Sequence, residues 1–166
     1  MRPGGDRAKV ILVSGGSVAS PKDAECAEQV GRLLAQAGAV VLTGGGTGVM
    51  EAACRGCAKA GGTTLAVLPG SDASESPPNG YVSLAVFTGM RDARNSILVR
   101  TADAVIAIGG SWGTLSEIAL ASNAGRPVVL LDTWGITPPD RSIAVPPRAK
   151  DAEEAVAMVL DAFDRI

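Results

Sequence analysis

The stretch Thr88 to Ala121, TGMRDARNSILVRTADAVIAIGGSWGTLSEIALA, decides how the rest of the chain reads. It opens as a short helix carrying Arg94 and continues as an apolar strand over Ala104 to Ile108. It then turns through Gly109-Gly110-Ser111-Trp112-Gly113 into a helix carrying Glu117. A strand that runs through glycines straight into a helix leaves backbone N–H groups unpaired at one point, with the positive end of the helix dipole behind them. Such a point suits a phosphate. The upstream arginine offers a cation to clamp the anion, and a carboxylate one helical turn in offers an acid to act on, or hold, a sugar.

Outward from this stretch the pattern repeats. Lys9 to Ser14 is a β-branched apolar run ending at Gly15-Gly16-Ser17, a strand buried on both faces followed by a glycine turn. Ser20-Pro21-Lys22-Asp23 reads as a helix start, with Ser20 at the N-cap, Pro21 at the first helical position and Asp23 reaching back. Apolar residues keep helical spacing through Val30, Leu33, Leu34 and Ala37 until Gly38. Ala39 to Thr43 is a second strand, followed by Gly44-Gly45-Gly46-Thr47-Gly48 and a small-residue helix from Val49 to Ala60. Thr63 to Leu68 is a third strand, Ser71 to Gly80 a surface loop, and Val82 to Phe87 a fourth strand.

Beyond the central stretch, Pro127 to Leu131 is another buried strand. Asp132 to Pro147 holds four prolines and reads as an irregular excursion lying over the site or at an oligomer contact. Asp151 to Ile166 is a final amphipathic helix. Strands alternating with helices predict a single doubly wound parallel sheet, an α/β Rossmann-like fold of about six or seven strands flanked by helices. In such a sheet the loops at the carboxyl ends of the strands line a crevice where the strand order reverses. Three glycine turns fall at that end.

With 166 residues, 46% hydrophobic and 19% charged, the chain fits one nucleotide- or phosphate-binding domain over residues 1–166, its first eight residues frayed. A net charge of -2 and 3% aromatics supply neither the basic surface nor the stacking surface of a nucleic-acid binder, so a small ligand is the expected partner. Three cysteines make no disulfide framework, and no run approaches the roughly 18 apolar residues of a membrane span. A cytoplasmic protein is expected. There is no histidine, which removes Ser-His-Asp and Cys-His mechanisms and histidine-ligated metals.

Each motif has a plainer alternative. Gly44 to Gly48 is not the dinucleotide fingerprint, because its third glycine would fall at Val49, and no Gly-Lys-Ser/Thr follows to make a P-loop. Four glycines in five residues exceed what a turn needs, which favours close approach by a ligand. Thr114-Leu115-Ser116-Glu117 is also a capping box, in which Glu117 would bond back to the helix's first N–H. Arg94 stands in a charged run that an exposed helix face would explain. Cys54-Arg55-Gly56-Cys57 reads as buried core, with no metal site. Trp112 suits either stacking on a ligand ring or a subunit contact. The helix faces from Ile118 to Ala124 and in the last helix predict self-association.

Taken together, Gly44 to Met50, Ala93-Arg94-Asn95 and Gly109 to Glu117 resemble the Lonely Guy (LOG) superfamily of Rossmann-like proteins, whose enzymes are cytokinin-activating phosphoribohydrolases and many of whose members were labelled lysine decarboxylases. Within it the chain is most similar to the molybdenum cofactor carrier branch, through Leu42 to Met50, Ala60 to Thr64, Val67 to Asp72 and Thr88-Gly89-Met90. That branch implies an oligomeric protein, dimer or tetramer, that holds the phosphate-bearing molybdenum cofactor (molybdopterin) without turning it over. The hydrolase pattern P-G-G-x-G-T-x-x-E falls on Ile108 to Glu117, and its R-K pair on Arg94-Asn95. Arg94 and Glu117, taken as catalytic in the hydrolases, are both kept, with no cofactor required, while Ile108 and Asn95 depart from the pattern and weigh against turnover. A pyridoxal phosphate decarboxylase needs a Schiff-base lysine, and none of Lys9, Lys22, Lys59 and Lys150 lies at a glycine loop. The expected ligand set is Gly15, Gly16, Ser17, Gly44, Gly45, Gly46, Thr47, Gly48, Met50, Arg94, Asn95, Gly109, Gly110, Ser111, Gly113, Thr114 and Glu117. Two functions follow: a carrier of a phosphorylated pterin or nucleotide, or an N-glycosidase acting on a nucleoside 5′-monophosphate.

Overall fold

Short runs of Val, Ile, Leu and Ala form the strands β1 (Val10–Gly15), β2 (Val40–Thr43), β3 (Thr64–Leu68), β4 (Leu84–Phe87), β5 (Ala104–Ile108) and β6 (Val128–Leu131). Between and after them lie α1 (Pro21–Gln36), α2 (Val49–Lys59), α3 (Asn95–Thr101), α4 (Trp112–Asn123) and α5 (Ala152–Asp161). The protein is seen in a computed structural model that describes residues 7–163. All six strands pair in parallel, in the order β4-β3-β2-β1-β5-β6. Strand residues alternate between faces, so each strand feeds two cores. Ile11, Val13, Val41, Ile106 and Leu131 pack with α1, α2 and α5, whereas Leu12, Leu42, Val105 and Leu130 pack with α3 and α4. This is the expected doubly wound Rossmann-like sheet.

Where the chain turns from β4 back across β1 to form β5, the order reverses. The loop after β1 leads to α1 on one face and the loop after β5 to α4 on the other, which opens a crevice between them.

Local chemistry shifts several boundaries. Ser20 caps α1 as expected, accepting from the Asp23 N–H at 3.1 Å, but the Asp23 carboxylate does not reach back; it lies beside Gly109. The strand predicted from Val82 starts at Leu84, because Ser83 N–H donates to Thr64 Oγ1 (2.7 Å) and the side chains take the place of a ladder rung. The last helix is capped by Asp151 and runs to Asp161; residues 164–166 of its predicted span lie outside the described residues. So do residues 1–6 of the terminus expected to fray. Arg7, by contrast, is anchored to Asp103 by two hydrogen bonds of 2.8 and 2.5 Å. Among the described residues no helix is long and apolar enough to cross a membrane.

Candidate functional site

The three glycine turns meet at the carboxyl edge of β1, β2 and β5. The first and second are stitched together: Gly16 O accepts from Val49 N–H (3.0 Å), and Ser17 O accepts from Thr47 Oγ1 (2.8 Å). Gly48, at φ +68, brings the second turn so close to the first that a Cβ there would sit 2.3 Å from Gly16 O. These contacts hold protein against protein. The first and third turns also touch, since a Cβ on Gly16 would lie 3.5 Å from Gly110 Cα.

The third turn opens α4. Gly110 has φ +94, and a Cβ there would lie 2.1 Å from Thr114 Oγ1. Thr114 is 3% exposed and its hydroxyl has no hydrogen-bond partner. Gly113, in the same first turn, has open space beside it.

Glu117 does not complete a capping box. The helix starts at Trp112, with Ser111 at the N-cap and no side-chain capping bond, so Thr114 is already inside it. Glu117 instead accepts a hydrogen bond from Ser14 Oγ at the end of β1, spanning the point where the strand order reverses. Burial pushes its carboxyl above the ordinary range, opposed by Ser14 and by the charge of Arg94.

Arg94 is not on an exposed face. A 3₁₀ turn over Arg91–Arg94 aims it under the sheet edge, where Nη1 donates to Val67 O (3.0 Å) and the guanidinium lies against Gly44. Its Nε is buried without a partner. Burial lowers its pKa, while Glu117 and Asp92 raise it. Met50 lies beside the same group, with its sulfur 3.0 Å from where a Gly44 Cβ would be.

Asn95 points elsewhere. It is 8% exposed and donates to Ser116 Oγ (2.8 Å), tying α3 to α4. Thr47 is exposed, with its hydroxyl spent on Ser17 O. Gly15 and Gly45 make room for Val49 and for Leu68 and Ala66 respectively.

Some contributors were not visible in the sequence pattern. Ser14 reads only as the last strand residue. Asn79, in a Pro-Asn-Gly loop that reads as turn chemistry, donates through Nδ2 to Gly46 O (2.9 Å) and Gly45 O (3.3 Å) and so props the second turn. Thr133 donates to Gly109 O, and Trp134 Nε1 to Ser111 O (3.1 Å), so the beginning of the excursion after β6 lies over the third turn. A cleft of about 450 Å³ opens there, lined by Val18, Asp23, Gly109, Gly110, Asp132, Thr133 and Trp134. Larger or comparable hollows lie away from all three turns.

Cys54 and Cys57 are fully buried in α2, and burial pushes the Cys57 thiol up to about 11. Among the described residues no cluster of Cys, Asp or Glu is placed to hold a metal ion.

Comparison with known proteins agrees with this fold. A family model described as the SLOG cluster4 family matches residues 8–160. The molybdenum cofactor binding protein of Rippkaea orientalis superposes with a TM-score of 0.85 at 35% identity, covering 96% of this chain and 99% of that one. The molybdenum cofactor carrier protein of Chlamydomonas reinhardtii superposes with a TM-score of 0.80 at 31% identity, covering 95% and 99%. A cytokinin riboside 5′-monophosphate phosphoribohydrolase of Mycobacterium tuberculosis is 31% identical over 130 residues, 70% of this chain and 68% of that protein.

Proposed function

We propose, for a chain that belongs to the SLOG cluster4 family, that it is a binding protein for a phosphorylated pterin or nucleotide, held at the carboxyl edge of the sheet without turnover. The observation that carries this is the orphaned Thr114 hydroxyl, buried in the first turn of α4 beside the positive-φ Gly110. A buried polar group without a partner costs about 1–3 kcal/mol. A phosphate oxygen at the helix N-terminus would accept from that hydroxyl and from the free backbone N–H groups. Arg94, with its unpartnered Nε, supplies the cation at the neighbouring turn. These residues fit molybdopterin as cargo: its phosphate at α4, its ring in the cleft over Gly109 and Gly110. The likeness to a molybdenum cofactor binding protein and to a molybdenum cofactor carrier protein supports the same choice.

A second function is favoured by one observation. Glu117 is half-buried with a raised pKa and feels the charge of Arg94, as the acid of an N-glycosidase would. Against it stand the two departures from the hydrolase pattern. Asn95, in the place of lysine, is committed to Ser116, and Ile108, in the place of proline, continues the β5 ladder opposite Gly15 and Leu131.

The protein is taken to act in the cytoplasm as a homo-oligomer. The apolar face of α5 is turned inward, so the more suitable contact is the outer strand β4, where Leu84 is 58% and Val86 46% exposed.

Thermal melting with AMP, GMP and ribose 5-phosphate tests binding. Saturable stabilisation of about 5–10 °C at a hundredfold excess over Kd is expected, lost in Arg94→Ala. No shift with any phosphorylated compound would contradict the assignment.

A further inference from the structure

We propose that Trp112 and Trp134 form the platform on which the flat ring of the ligand stacks; the subsite rests on the phosphate-binding function above. The chain contains two tryptophans, and the fold brings both to the same edge of the sheet. Trp112 is the first residue of α4, directly after the third glycine turn, and Trp134 follows β6. Their ring centroids are 4.9 Å apart with planes tilted by 40°.

The two rings are held differently. Trp134 is pinned to the turn itself: its indole N–H donates to Ser111 O (3.1 Å), its own carbonyl accepts from Arg148 Nη2 (2.5 Å), and its neighbour Thr133 donates to Gly109 O. Trp112 rests on this fixed ring and is otherwise 75% exposed. An indole backed on one side by a rigid partner and open on the other loses little freedom when a second flat ring covers it.

Charge decides which end of the ligand goes there. The cleft beside Trp134 carries the carboxylates of Asp23 and Asp132, the latter paired with Lys22 at 2.5 Å. With Asp132 matched by Lys22, the Asp23 carboxylate beside Gly109 is the charge that turns a phosphate away, toward Thr114, the α4 N-terminus and Arg94. The uncharged ring is left for the tryptophans, with Val18 of the first turn adding an apolar side chain to the cleft. The ligand class is therefore a phosphorylated bicyclic heterocycle, purine or pterin, rather than a sugar phosphate alone.

Because both tryptophans sit in this pair, their fluorescence reports on this place only. The full chain is titrated with GMP and with ribose 5-phosphate, following tryptophan emission and thermal stabilisation together. GMP is expected to quench emission with the same Kd that its stabilisation gives, and ribose 5-phosphate to stabilise without quenching. Trp112→Ala should weaken GMP about tenfold and leave ribose 5-phosphate unchanged, with Trp112→Phe close to the parent. Equal affinity for the two compounds, unmoved by Trp112→Ala, would overturn the platform. So would a Trp112→Ala protein with unchanged GMP affinity and a smaller mass by light scattering, which would make Trp112 a subunit contact. A parent protein that responds to neither compound would remove the phosphate site itself, and the platform with it.

Discussion

At Glu117, burial works against the charge, and Ser14 and Arg94 work for it, with burial the larger effect. A carboxyl whose folded pKa is raised binds its proton more tightly in the native state, so stability falls as pH climbs from the unfolded value, about 4.3, through the folded one. Glu117→Gln keeps an acceptor for Ser14 and removes the charge. Its melting temperature should exceed the parent's at neutral pH, with the gain disappearing below the carboxylate range. A gain of the same size at both pH values would show that charge burial is not the cause. At Gly110 the backbone conformation and the crowding by Thr114 both require glycine, so Gly110→Ala should cost about 1–3 kcal/mol in urea unfolding and abolish stabilisation by phosphate compounds. A variant as stable as the parent would refute that crowding. At this scale the glycine turns could be read from the apolar runs that precede them, whereas spacing left Arg94 and Glu117 each with a plainer alternative and only the family resemblance singled them out. The sequence was silent on Ser14 and Asn79, whose partners lie 103 and 33 positions away. The capping-box pattern also misled, since which side-chain bond Glu117 makes depends on where β1 ends beside it.

Among the elements, the closest packing is between α1 and α2. A Cβ on Gly31 would sit 2.0 Å from Ala53 O, and one on Gly56 would sit 1.9 Å from Glu28 O. Glycine inside an exposed helix costs up to about 1 kcal/mol relative to alanine, so by propensity alone either Gly→Ala change would stabilise. Packing predicts the reverse. Gly31→Ala and Gly56→Ala should each lose about 1–3 kcal/mol or more by urea denaturation, because backbone cannot yield as a flexible side chain does. Neutral or improved stability in both would mean that the helices move apart freely. Strands and glycine turns were legible as elements from apolar runs ending in glycine, and the alternation with helices carried the sheet's parallel sense. The start of β4 was not legible, because Ser83 and Thr64 exchange side-chain bonds where periodicity saw more strand.

For the whole molecule, the site exists only once the sheet has assembled, since its parts come from the ends of β1, β2, β5 and β6. Ligand binding should therefore raise global stability rather than order one loop. The exposed Leu84 and Val86 on an outer strand predict self-association: light scattering should give a dimer or tetramer, and Leu84→Lys with Val86→Lys should reduce it. A monomeric parent would contradict this. The central claim is that a phosphorylated heterocycle is held and not cleaved. The most direct test incubates the folded protein with AMP and N6-isopentenyl AMP under conditions in which they stabilise it, then separates nucleotide from free base by chromatography. Intact nucleotide recovered from both is the predicted result, whereas release of free base that Glu117→Gln abolishes would make the protein a phosphoribohydrolase.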